Sequence, residues 1–200
     1  MTEMSGTESL FCRSRPWQAF ARRVVLPWAL QGVSLDGEAL ELGSGSGVMA
    51  ARLLEAFPRL RVVATDFDET MVDRARERLQ PYGARAEARQ ADGTALLFSD
   101  ITFDVILSFL MLHHIGSCEK ALEEATRVLR PGGLLLGYDL ANTLPFRLIH
   151  QAEGAGYRMV KFEELRIQAA GLPLDHVALR RGLGGLVIRF SAMKRVMTLS

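Results

Sequence analysis

The sequence predicts a doubly wound α/β fold: an open, mostly parallel sheet with helices on both faces. Three observations predict it. Short apolar segments alternate with segments of helical period from residue 38 to residue 140, and parallel neighbours need such helical crossovers to join them. A glycine cluster, Gly43-Ser44-Gly45-Ser46-Gly47, separates the first strand-like segment from the helix-like segment after it. Near the end of the chain, two strand-like segments lie too close together for a crossover and read as an antiparallel pair at the sheet edge.

Taken in order, residues 1–11 carry no hydrophobic period and read as a flexible terminus. From Cys12 to Leu30, Trp17, Phe20, Val24 and Trp28 recur at helical spacing opposite Arg15, Arg22 and Arg23, which predicts an amphipathic helix, bent at Pro27, that covers the core. A short apolar segment ending at Leu42 is the first strand, and Val48 to Phe57 is the helix after the glycines, with Pro58 as its stop. Arg61 to Thr65 is β-like. Asp68 is placed to cap a helix carrying Met71, Val72, Ala75 and Leu79, which breaks at Pro81-Tyr82-Gly83. Ala84 to Ala91 is a third strand. The continuous apolar run Phe103 to Phe109 suits a central strand covered on both faces. A helix follows from Glu119 to Leu129, with Pro131-Gly132-Gly133 expected to end it before a fifth strand, Leu134 to Leu140. A last helix is expected over Phe162 to Ala170, then strands at Val177 to Arg180 and Leu186 to Ala192 joined through Gly182 to Gly185.

Composition narrows the partners. The 24 basic and 23 acidic residues leave a net charge of +1, so no global field draws the chain to nucleic acid or to an anionic membrane. Cys12 and Cys118 lack any CxxC spacing, which argues against a zinc site or a disulfide framework, and no metal is expected. No apolar run is long enough to cross a bilayer, and a cytoplasmic location is the expectation. Arg180 and Arg181 suit an acidic ligand or, more simply, a solvated strand end.

In a sheet of this kind ligands bind at the carboxyl ends of the strands, where strand order reverses. Residues without Cβ at Gly43, Gly45 and Gly47 let the backbone approach a ligand, and the N–H groups there join the positive end of a helix dipole. An ordinary tight turn needs fewer glycines. The register is wrong for a dinucleotide GxGxxG, because Val48 stands where the last glycine belongs, and no Lys-Ser or Lys-Thr follows for a triphosphate loop. An NAD-dependent oxidoreductase is thereby weakened. Asp66 ends the second strand about twenty residues on, where an acid accepts both hydroxyls of a ribose, and Asp68 leaves it free for that by serving as the helix cap.

At this point the chain resembles the class I methyltransferases that use S-adenosylmethionine (AdoMet), of the small, single-domain type. Five stretches carry the resemblance in family order: ALELGSGSG, VVATDFDETMVDRAR, ADGTAL, FDVILSFLMLHHI and ATRVLRPGGLLL. It runs from about Leu40 to Lys194 and implies a Rossmann-like seven-stranded sheet with the last strand reversed. It further implies one domain over residues 12–200, with a cover helix at 12–30, an AdoMet-binding core at 38–140 and an acceptor-side segment with the terminal hairpin at 141–200. By the same resemblance, Glu41, Gly43, Ser44, Gly45 and Gly47 hold the methionine end of AdoMet, Asp66 its ribose, and Phe67 and Met71 its adenine ring. Asp92, beside Gly93 and Thr94, would meet the adenine amino group, and Ser108 would lie near the methyl group. Phe67 and Met71 also read as plain core, and Asp92-Gly93 as a plain turn.

The fourth strand ends in Ser108-Phe109-Leu110-Met111, unlike the acidic or amide residue and paired prolines of base amino methyltransferases, which points to a small-molecule acceptor and S-adenosylhomocysteine as product. His113 and His114 are candidates for a general base, though a structural role at the start of a helix suits them better. Tyr138, Asp139, Asn142, Arg147 and His150 are expected around the acceptor mouth. A non-catalytic AdoMet-binding protein would share all these residues.

Overall fold

The computed structural model describes residues 21–143 and 161–196. The expectations for residues 1–20, Trp17 and Phe20 among them, and for Arg147 and His150 lie outside those residues. Seven strands form one sheet: β1 (Gly37–Leu42), β2 (Leu60–Asp66), β3 (Ala86–Gln90), β4 (Phe103–Phe109), β5 (Leu129–Leu140), β6 (Leu174–Gly182) and β7 (Val187–Lys194). Their order is β3-β2-β1-β4-β5-β7-β6. The first five are parallel, and β7 runs antiparallel to both β5 and β6. The last strand is therefore reversed and slotted inside the edge, as expected. Strand order turns back between β1 and β4, which opens the crevice at their carboxyl ends.

Alternation along each strand sends side chains to two cores. On one face, Leu40, Leu42, Ile106, Leu135, Ile188 and Phe190 pack with helices α4 (Cys118–Val128) and α5 (Phe162–Ala170). On the other, Ala39, Val105, Leu107, Phe109, Leu136 and Tyr138 meet α1 (Leu26–Leu30), α2 (Val48–Ala56) and α3 (Glu69–Leu79). A wider turn, Ala21–Val25, leads into α1 with Pro27 in its first turn, where a missing N–H costs nothing. Asp68 caps α3 by accepting from Thr70 N. No described helix is long and apolar enough to cross a membrane.

One element departs from the sequence reading. Pro131-Gly132-Gly133 does not separate helix from strand: α4 ends at Val128 and β5 begins at once with Leu129, paired to Phe103. The ladder then slips, and pairing resumes at Val105 with Leu134. Pro131 has no N–H to give the ladder, and Gly132 takes φ +79°. A side chain at Gly133 would meet the carbonyl oxygens of Asp104 and Arg130 within 2.8 and 2.9 Å. The triplet is a bulge in a strand, and the period of a strand is invisible across residues that do not pair.

Candidate functional site

The glycine loop between β1 and α2 is held from three sides. Ser44 N donates to Thr65 O at 2.8 Å, Gly45 N to Asp66 Oδ2 at 2.8 Å, and Arg78 on α3 donates to Ser46 O at 2.8 Å. A loop with its backbone so fixed is set before any ligand arrives. Its glycines serve different ends. All three have positive φ, +67°, +53° and +75° for Gly43, Gly45 and Gly47. A Cβ on Gly43 would strike Met111 Cγ at 2.1 Å, and one on Gly47 would crowd Ala75 of α3 at 3.1 Å. These two are required by the protein's own packing. A Cβ on Gly45 would meet nothing within 4 Å, so of the three only Gly45 turns its bare side to open space.

Under the loop, Glu41 on β1 is 1% exposed. Burial, and then the neighbouring Asp66 carboxylate, push its pKa from 4.5 up to about 8, against a backbone hydrogen bond from Ala50 that lowers it. Its Oε2 has no hydrogen-bond partner among the described residues, and neither do the buried hydroxyls of Ser44 and Ser108. Buried polar atoms are nearly always paired. Register places Glu41 beside Leu107 and Leu42 beside Ser108, so Glu41 and Ser108 stand at the carboxyl ends of β1 and β4 on opposite faces of the sheet, with Ser44 in the loop that follows β1. Orphaned polar atoms around a bare, rigid loop fit a polar ligand group carrying donors and acceptors, which is the nature of the amino-acid end of AdoMet.

Asp66 is half-buried, which raises its pKa, while N–H groups of Asp68, Gly45 and Phe67 pull it down. It is more engaged than expected: Oδ2 accepts from Gly45 and Oδ1 from Asp68 N at 3.0 Å. Each carboxylate oxygen has a further lone pair, so holding the loop and accepting a ribose hydroxyl are compatible. Phe67 and Met71 part ways: Met71 is buried in α3, whereas Phe67 is 37% exposed. Phe67 thus presents a phenyl ring to solvent next to Asp66, while Met71 belongs to the buried side of α3. Asp92 lies half-buried past β3, where burial raises its pKa but two hydrogen bonds from Thr94 to Oδ1 outweigh that and hold it low. Among the described residues its Oδ2 receives no such hydrogen bond. Gly93 sits buried near Ile115 and Met111.

The connection after β4 is organised differently. His113 is 3% exposed and Asp139, at the end of β5, is 0%. His113 Nδ1 meets Asp139 Oδ1 at 2.5 Å, Leu112 N donates to Oδ2 at 2.6 Å, and Leu140 N donates to Oδ1. Asp139 was expected at the acceptor mouth. The structure puts it in the interior, spending its oxygens on the turn Leu112–His114. His114 stacks on His113, ring centroids 4.1 Å apart. Tyr138 is buried on the other face, and Asn142 is exposed. The sequence reading missed Arg78, whose contact with the glycine loop crosses 32 residues, and no local pattern marks it.

Comparison with known proteins agrees with this geometry. Residues 39–133 match a family described as a methyltransferase domain. The chain is 35% identical over 116 residues to a demethylmenaquinone methyltransferase of Thermus thermophilus, covering 56% of this chain and 53% of that protein. It is 32% identical over 97 residues to a ubiquinone/menaquinone biosynthesis C-methyltransferase of Desulfotalea psychrophila, covering 48% and 39%. The chain spans about half the length of these relatives or less. Among solved structures, the PH0226 protein of Pyrococcus horikoshii has the same fold at a TM-score of 0.78 and 17% identity, over 96% of this chain and 100% of that one. A phosphoethanolamine N-methyltransferase of Haemonchus contortus, solved in complex with AdoMet, superposes at 0.75 and 16% identity, over 88% of this chain and 52% of that one. The fold that the motifs pointed to is present, and residues 39–133 carry the match to a methyltransferase domain.

Proposed function

We propose that this chain, whose residues 39–133 match a methyltransferase domain, is a class I methyltransferase that binds AdoMet and transfers its methyl group to a small-molecule acceptor. The observation that carries the reading is Gly45: its N–H is held by the acid of the next strand while its bare Cα faces open space. In this reading Glu41, Ser44 and the loop amides take the methionine end, Asp66 the ribose, and Phe67 with Asp92 the adenine. The sulfonium supplies the electrophile. What remains for the protein is alignment and exclusion of water, because in-line attack on such a centre needs little else. His113 is assigned to positioning: its ring is buried against Asp139, and that pair fixes the connection between β4 and α4 from below the site.

A cytoplasmic location goes with this reading.

The test is transfer of label from methyl-labelled AdoMet to the low-mass fraction of a cell extract by the full chain. Label in a small-molecule product is the expected result. Saturable AdoMet binding with no label leaving AdoMet in any fraction would make this a binding protein without the transferase step.

A further inference from the structure

Arg189 on β7 is a buried charge that the AdoMet site does not use. It is 5% exposed, and its guanidinium reaches a single described partner, the carbonyl of Trp28, at 3.5 Å. Burial, and then the charge of Arg180, lower its pKa, and no acid offsets them. Removing a guanidinium from water without a counter-ion is strongly unfavourable, so a position like this calls for an anion.

Register shows what surrounds it. Phe109 pairs with Tyr138, Tyr138 with Arg189, and Arg189 with Arg180, one row across β4, β5, β7 and β6 on a single face of the sheet. Two arginines directly opposed across an antiparallel pair repel each other unless something negative lies between or above them. Tyr138 stacks beside Phe109 at 5.3 Å between centroids and meets the edge of Trp28 at 5.9 Å. The Trp28 ring also lies over β6, where a Cβ on Gly182 would fall 2.4 Å from it. The row thus has two aromatic members, two cationic ones, and an indole beside it.

Its location is the carboxyl edge of the sheet, on the same face as Glu41. Glu41, Leu107 and Leu136 form one row, and Phe109, Tyr138 and Arg189 stand one same-face step further toward the ligand edge. From β1 to β7 are three strand spacings, about 14 Å. That span suits a ring-sized molecule placed between the glycine loop and the guanidinium.

We propose that Arg189, with Arg180 opposite it, binds the anionic group of the acceptor, a carboxylate or a phosphate, and so fixes the acceptor's orientation toward the AdoMet site. A planar guanidinium takes either group through two parallel hydrogen bonds. The inference rests on the methyltransferase reading for the word acceptor; the anion site itself does not.

Calorimetric titration of the full chain saturated with S-adenosylhomocysteine tests it, using benzoate and phenyl phosphate as probes. One of the two should bind saturably, and which one identifies the anionic group. Arg189→Met should weaken that binding by at least about tenfold, as expected for loss of charged hydrogen bonds. Arg180→Met, at an exposed position that folding tolerates, should weaken it by about threefold. Both variants should keep their affinity for S-adenosylhomocysteine. Failure of both probes to saturate the wild-type chain, or equal binding by wild type and Arg180→Met together with any folded Arg189→Met, overturns the proposal. Should S-adenosylhomocysteine itself not bind, the methyltransferase reading fails, and titrating the ligand-free chain with the same probes still decides the anion site.

Discussion

The two halves of the sheet edge are built by different means. At β1, β2 and β4 the candidate site is built on backbone, a loop of positive-φ glycines with an N–H held by Asp66, and beside it lie buried side-chain oxygens of Glu41, Ser44 and Ser108 left unpaired among the described residues. At β4, β5, β7 and β6 it consists of long-range side-chain pairs, His113 with Asp139 and Arg189 across from Tyr138 and Arg180. The first half is rigid without a ligand but incompletely satisfied. The second has spent most of its polar capacity on itself, with Arg189 the exception. Under the proposed reading, the cofactor seat rests mainly on backbone, whereas the acceptor side rests on particular side chains.

The sharpest way to break this contrast is at Asp139. If it serves structure, Asp139→Ala removes the buried acceptor shared by His113 Nδ1 and the N–H groups of Leu112 and Leu140 and should cost about 3–5 kcal/mol of unfolding free energy in urea titrations. A small stability loss with a large fall in AdoMet affinity would instead place Asp139 in the ligand site. Next in size is Gly45→Val. Because its side chain would enter open space, the chain should stay folded, while AdoMet binding falls by at least about a hundredfold, or about 2.7 kcal/mol. The positive φ adds some strain. If the variant melts at the wild-type temperature and binds normally, the open space is not the ligand's.

Glu41 sharpens the contrast through pH. Its pKa in the folded chain, about 8, lies above the ordinary 4.5. The stability it contributes is therefore full below about 4.5 and is lost as pH rises through about 8, by up to about 1.4 kcal/mol per pH unit in between. A cationic ligand favours the ionised form, so AdoMet should release a proton on binding, and its affinity should tighten between pH 6 and 8 by up to tenfold per unit, about 1.4 kcal/mol. Glu41→Gln should flatten that dependence. Titrations in buffers of different ionisation enthalpy read the proton directly, and an equal slope in wild type and variant would assign it elsewhere.

Legibility in the sequence followed the same division. Local chemistry was readable: the Asp68 cap, the central strand Phe103–Phe109 and the helix Phe162–Ala170 stand where their residues predicted them. So did the glycine loop and Asp66, because a loop motif and the acid ending the next strand keep a short spacing. Asp139 was misjudged, since its position at a strand end is the same whether its carboxylate points to a ligand or into the turn Leu112–His114. Arg180 was visible only as half of a basic pair with Arg181. Its cross-strand neighbour, Arg189, is set by the register of the hairpin, which runs unbroken from Gly182–Val187 through Arg180–Arg189 to Ala178–Ser191 and depends on where the turn falls. Pro131-Gly132-Gly133 read as a stop because its residues avoid the ladder that runs on either side of them.

Calorimetric titration of the purified chain with S-adenosylhomocysteine, run beside NADH, tests the seat at Gly45 and Asp66 most directly. Saturable one-to-one binding of the first and no heat from the second is the predicted result. Absence of heat and of any rise in melting temperature with S-adenosylhomocysteine would contradict it.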